Sequence, residues 1–146
     1  MRKPAIRISI GMLAILLAGP AASMSEGKTA QGEPYVSGGI GAGELEDLEK
    51  QRGRFSLRVL TAATGSGAYL ADVLITITDA AGKTVLSTTA DGPWLYVNLK
   101  LGDYKVTAIH KAQVKHQATK IHAGDRHEMF FYFDQPVERL PKGEKS

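Results

Sequence analysis

The chain contains no cysteine. That excludes a disulfide framework, a thiolate nucleophile, a cysteine metal ligand and a lipid-acylated cysteine. Stability must come from a packed core, and 146 residues are enough for one domain to build it. Long apolar runs are nearly absent too. The one in view, residues 8–18, follows the basic start Arg2, Lys3 and Arg7. It is shorter than the roughly 20 residues of a membrane span. Small residues Gly19, Ala21, Ala22 and Ser23 come next. This is the order of a secretory signal peptide over residues 1–23, with cleavage near 21–25; the alternative is an uncleaved anchor. No stable membrane insertion is expected once the segment is removed.

Net charge is the next absence. Three of the eighteen basic residues and none of the fifteen acidic ones lie in the first 23 positions, which leaves fifteen of each sign. The basic isoelectric point therefore belongs largely to the leader, and nucleic-acid binding is not implied. Catalytic signatures are missing as well. There is no Gly-x-Ser-x-Gly elbow and no His-Glu-x-x-His. The expectation is a non-enzymatic protein without a cofactor.

The residues that are present read as short strands. Residues 25–32 are small and polar, a flexible lead-in. Residues 35–41 are glycine-rich but lack the Lys-Ser/Thr of a phosphate loop, so they read as a turn. Residues 44–52 carry Leu45 and Leu48 three apart, acids before bases, and Gly53 as a stop. They predict one short helix. Lead-in and helix together occupy 24–53.

From Arg54 the period changes to two. Strands are predicted at 55–60, 71–78, 84–89, 94–99, 104–110, 117–121 and 128–133. Turn residues fill the gaps, and residues 94–110 read as one aromatic hairpin. In it Trp94 and Tyr96 share a face, with Leu95 and Val97 opposite. Pro136 and Pro141 mark a charged, disordered tail over 136–146.

The spacing Gly92-x-Trp94-x-Tyr96-x-x-Leu99-x-x-Gly102-x-Tyr104-x-Val106 resembles the core signature of carboxypeptidase regulatory-like domains. The run 57–89, with Ala71, Val73 and Ile75, resembles that family's first half. The resemblance covers roughly residues 54–133. It implies an all-β fold over 54–135, a seven-stranded immunoglobulin-like or transthyretin-like β-sandwich with one short N-terminal helix. It also implies Trp94, Tyr96 and Tyr104 pointing inward, and a periplasmic location. The hydroxyisourate hydrolases share this sandwich, but their C-terminal Tyr-Arg-Gly-Ser signature is absent. The fold carries many functions and names none.

Two groups of residues are candidates for a site. His110, His116, His122 and His127 fall at strand ends, where cross-strand neighbours about 5 Å apart can share a metal ion; the alternative is a polar rim. Phe130, Phe131, Tyr132 and Phe133 are four aromatics in a row. On a strand two must face out, either Phe130 with Tyr132 or Phe131 with Phe133. The outward pair would be a sticky surface for an envelope protein or polymer, unless the helix covers it. A carbohydrate stacked on exposed aromatics is the other small-ligand reading.

Overall fold

The computed structural model describes residues 24–135. The expected leader and tail lie outside them. In chain order the elements are β1 (Ser25–Lys28), β2 (Pro34–Gly38), α1 (Ala42–Gln51), a 3-10 turn (Arg52–Arg54), β3 (Leu57–Ala63), β4 (Leu74–Asp79), β5 (Thr84–Thr89), β6 (Trp94–Val97), β7 (Gly102–His110), β8 (Gln113–Ile121) and β9 (His127–Phe133). They form two sheets, one ordered β1-β2-β6-β3-β9 and the other β5-β4-β7-β8. The strand count among the described residues is nine rather than seven. The two additional strands come from the stretch read as a flexible lead-in and a turn.

The reason those two escaped is their composition. Strand β1 is SEGK, wet on both faces, so it has no alternation to detect. It forms by pairing Ser25–Lys28 against Ser37–Pro34 of β2. Strand β2 has two large apolar residues, and they part company. Tyr35 packs on the main core, and Val36 packs under the helix. The glycines after them serve close approach. A Cβ on Gly92 would sit 2.3 Å from the Gly38 carbonyl oxygen, and one on Gly39 would sit 2.8 Å from the Trp94 ring. Gly92 is thus required for space, not for a positive φ.

The predicted aromatic hairpin is also corrected. Strands β6 and β7 belong to different sheets. Strand β6 lies between β2 and β3, while β7 lies between β4 and β8. The linking residues 98–101 cross from one sheet to the other. They are held to the first by Asn98 N–H on Pro34 and Leu99 N–H on Ser56 Oγ. Alternation within each strand is legible from sequence. Which strand pairs with which depends on long-range packing and is not.

The inner faces make one core. Leu57, Val59, Leu95, Val97, Met129, Phe131 and Phe133 of the first sheet meet Ile75, Ile77, Val85, Tyr104, Val106, Ala108 and Ile121 of the second. Each of the Val, Leu, Ile, Met and Phe side chains among them contributes roughly 1.5–3 kcal/mol of burial. A smaller cluster of Val36, Leu48, Phe55 and Tyr96, with Met24 and Trp94 beside it, lies on the outer face of the first sheet beneath α1. The main core has seventeen members and the second four, so the sheets and not the helix dominate stability. The lead-in then ties both layers: Ala30 N–H donates to Val85 C=O, and Gln31 reaches the Tyr104 hydroxyl, which donates to Lys100 C=O at 2.8 Å.

Candidate functional site

Strand β9 pairs parallel to β3 at the edge of the first sheet. Its alternation decides between the two readings of the aromatic run. Phe131 and Phe133 point into the core and are essentially without exposure. Phe130 and Tyr132 point outward and are 40% and 47% exposed. The helix does not cover them, because it lies over β2 and β6 at the other side of the sheet.

Register extends this pair into two rows. Leu60 is flanked by Phe130 on one side and Trp94 on the other. Ala62 is flanked by Tyr132 and Tyr69. Paired residues share a face, so large rings stand over Leu60 and Ala62, which are consequently buried. Tyr69 and Ile40 are exposed, and both line a mostly apolar hollow of about 310 Å³ with Leu70, Ala71 and Pro93. Tyr69 was missed from the sequence because it sits in a loop, where no periodicity assigns a face.

The free edge of β9 is not open for strand addition along its length. Gln117 of β8 donates to the Phe130 carbonyl. Gln113 donates to the Asp134 carbonyl at 2.6 Å and accepts from the Asp134 N–H at 3.0 Å. Side chains of the second sheet thus occupy backbone groups that an incoming strand would need. What β9 offers is its outer side-chain face.

At the start of β9 charge replaces aromatics. Glu128 Oε1 accepts from Arg52 at 2.7 Å and from Arg58 at 3.0 Å. Arg58 is buried and lies 6.0 Å from the centre of the Tyr96 ring. This carboxylate fastens the 3-10 turn after α1 to the sheet. Burial raises the Tyr96 hydroxyl above its ordinary pKa, with Arg52 opposing and Glu49 and Glu128 adding to the rise.

The histidines do not come together. His110 pairs with Gln113 at one end of β8, while His122 follows the other end, about 30 Å away along the strand. His110 packs on Phe133 with ring centres 5.5 Å apart. His116 Nδ1 lies 2.9 Å from Thr107 Oγ1. His127 Nε2 lies 3.1 Å from Asp125 Oδ2, which also accepts the His122 backbone N–H. That backbone bond, before the His127 contact, holds the Asp125 carboxyl below its ordinary value. Among the described residues no three His, Cys, Asp or Glu side chains gather as metal ligands. Of the three aromatics expected to point inward, only Tyr104 does so, in the main core; Tyr96 and Trp94 lie on the outer face of the first sheet, Tyr96 buried under the helix and Trp94 half-buried beside it.

No helix among the described residues is long and apolar enough to cross a membrane. The molecule is a two-sheet, sandwich-like β domain with one short helix. No protein-family model and no curated protein matches the chain.

Proposed function

We propose that the protein is a non-enzymatic accessory domain of the periplasm that docks on another envelope protein through the outer face of β9. The observation that carries this reading is the exposed pair Phe130 and Tyr132, continued by Tyr69 and the apolar hollow beside it. Exposed aromatics in contiguous rows mark interaction surfaces, since rigid rings bury much area at low entropic cost. A side-chain face is the mode left available where Gln113 and Gln117 occupy the strand edge.

We also infer a transthyretin-like sandwich of the carboxypeptidase regulatory-like kind. The spaced residues of that motif hold structural posts: Gly92 where two backbones touch, Leu99 and Tyr104 in the core. The leader-like segment at 1–23 supports export. The test is affinity purification after in-cell crosslinking, with the unaltered protein beside the Phe130→Ser/Tyr132→Ser variant. The reading expects one reproducible protein partner that the folded variant loses. An unchanged partner set in that variant overturns it.

A further inference from the structure

The nine-residue strand β8 ends the second sheet, and among the described residues no strand pairs with its far side. Its register shows which backbone groups face that side. His110 pairs with Gln113 across the two-residue turn Lys111-Ala112, where Lys111 has a φ of 54°. Such a turn closes on a hydrogen-bonded pair, and bonded and unbonded pairs alternate from there. Gln113, Lys115, Gln117 and Thr119 therefore turn their N–H and C=O groups to β7. Val114, His116, Ala118 and Lys120 turn theirs outward, and no hydrogen bond is made there among the described residues. The other edges are shorter or occupied. Strand β1 has four residues, the Val85 carbonyl of β5 accepts from Ala30, and Gln113 and Gln117 hold the backbone of β9 and its end.

The charge on this edge is of one sign. Strand β8 carries Lys115, His116 and Lys120 and no carboxylate. Neither lysine makes an ion pair among the described residues. The β7–β8 hairpin, residues 102–121, holds four lysines and one aspartate, whereas the other described residues hold eight basic and twelve acidic side chains. Positive charge is thus concentrated in this hairpin of an otherwise acidic domain. Two copies of β8 joined edge to edge would gather four lysines and no carboxylate, so the edge disfavours its own kind. Strand β9 is the last of its sheet, so a strand added beyond β8 has none facing it. Its inner side stays in water, where a carboxylate can meet Lys115.

We propose that β8 takes up, by antiparallel strand addition, an extended acidic segment of another protein, with one carboxylate opposite Lys120, a second opposite Lys115, and an aliphatic residue opposite Val114. Backbone bonds to Val114, His116, Ala118 and Lys120 supply the affinity, and the facing side chains supply the selection. Lys120 and Val114 lie on the outer face of the sheet and Lys115 on the inner. The segment therefore presents its two carboxylates on opposite faces. Val114 is 53% exposed, so an aliphatic neighbour across the strand gains burial. This edge is independent of the outer face of β9.

The test is an amide NMR titration of the purified protein with the end-capped peptide Glu-Thr-Thr-Thr-Thr-Glu-Val. Saturable shifts are expected along β8, with hydrogen exchange slowed at Val114, His116, Ala118 and Lys120. The same peptide with both Glu replaced by Gln should bind at least fivefold more weakly. N-methylation of its third and fifth residues, whose N–H groups face β8 in this register, should abolish binding. Lys115→Gln and Lys120→Gln should each weaken the acidic peptide at least threefold, while Phe130→Ser/Tyr132→Ser leaves it unchanged. No saturable shift, equal affinity for the Gln peptide, or unchanged affinity in the lysine variants overturns the proposal. Full binding of the N-methylated peptide overturns it too, since charge alone would then hold the ligand. So do β8 amides that shift with protein concentration in the absence of peptide, because a second copy would then occupy the edge. If Lys115→Gln, which removes the amine 5.7 Å from the Phe133 ring centre, loses the folded spectrum, Lys120→Gln decides alone.

Discussion

Ser56 and Leu99, 43 residues apart in the chain, clasp each other where the sheets are joined. The Leu99 N–H donates to Ser56 Oγ at 2.9 Å, and the Ser56 hydroxyl lies 3.4 Å from the Leu99 carbonyl. Both residues are buried. Ser56→Ala leaves a buried backbone donor without a partner, which costs about 1–3 kcal/mol. Urea unfolding should show a lower midpoint with an unchanged slope.

Strand β9 divides its aromatics by function, and stability measurements separate them. Phe131→Ala removes a ring from the core and should cost about 3–5 kcal/mol. Tyr132→Ser, on the exposed face, should stay within about 0.5 kcal/mol of the unaltered protein. A large loss at position 132 with little at 131 would mean that the register is wrong by one residue.

Glu128 neutralises a buried arginine. Glu128→Ala strands Arg58, whose side chain is 6% exposed, and also frees Arg52. The cost should exceed the about 1 kcal/mol of a surface pair. It should fall short of the about 3–5 kcal/mol of a fully buried one, because Glu128 keeps 33% of its side chain in water. Arg52→Ala, at a half-exposed position, should cost less than Glu128→Ala in the same denaturant series.

Trp94 is the only tryptophan and sits beside the cluster that α1 covers, so its fluorescence reports helix docking. Leu48→Ala empties the centre of that cluster and should cost about 2–5 kcal/mol. Its emission should move to the red in the folded protein, while Val106→Ala, in the main core, should destabilise without that shift.

Tyr96 and Asp125 set opposite pH limbs. Because burial raises Tyr96, the unfolded chain ionises first. Stability is full below the ordinary tyrosine value of about 10 and falls as pH rises from there toward the raised folded value. Tyr96→Phe should flatten that alkaline fall. Asp125 is lowered, so its contribution is present above the ordinary carboxylate value of about 4 and is lost as pH drops through the lower folded value. Asp125→Asn should flatten the acid limb. Denaturation midpoints measured from pH 3 to 11 check both.

Much of the β pattern was legible because Ile75 and Ile77, or Tyr104 and Val106, alternate with residues that meet water or the sheet's rim. Helix α1 was legible from Leu45 and Leu48. Strand β1 was not, since an edge strand wet on both faces has no apolar period. The pairing of β6 with β2 and β3 was not, since Leu95 and Trp94 are apolar on opposite faces and either face suits a core. At the site, the four-aromatic run announced itself, and only the register chose Phe130 and Tyr132 as the outward pair. Tyr69 gave no signal, because a loop brings it into place.

The central claim is that the outer face of β9 meets a protein partner. It is tested most directly by placing a photoreactive phenylalanine analogue at position 132 and, separately, at position 105 on the outer face of the other sheet, in cells. Irradiation should join position 132 to one discrete protein and leave position 105 unjoined, and Phe130→Ser should weaken the product. Equal products at the two positions, or none at 132, would contradict it.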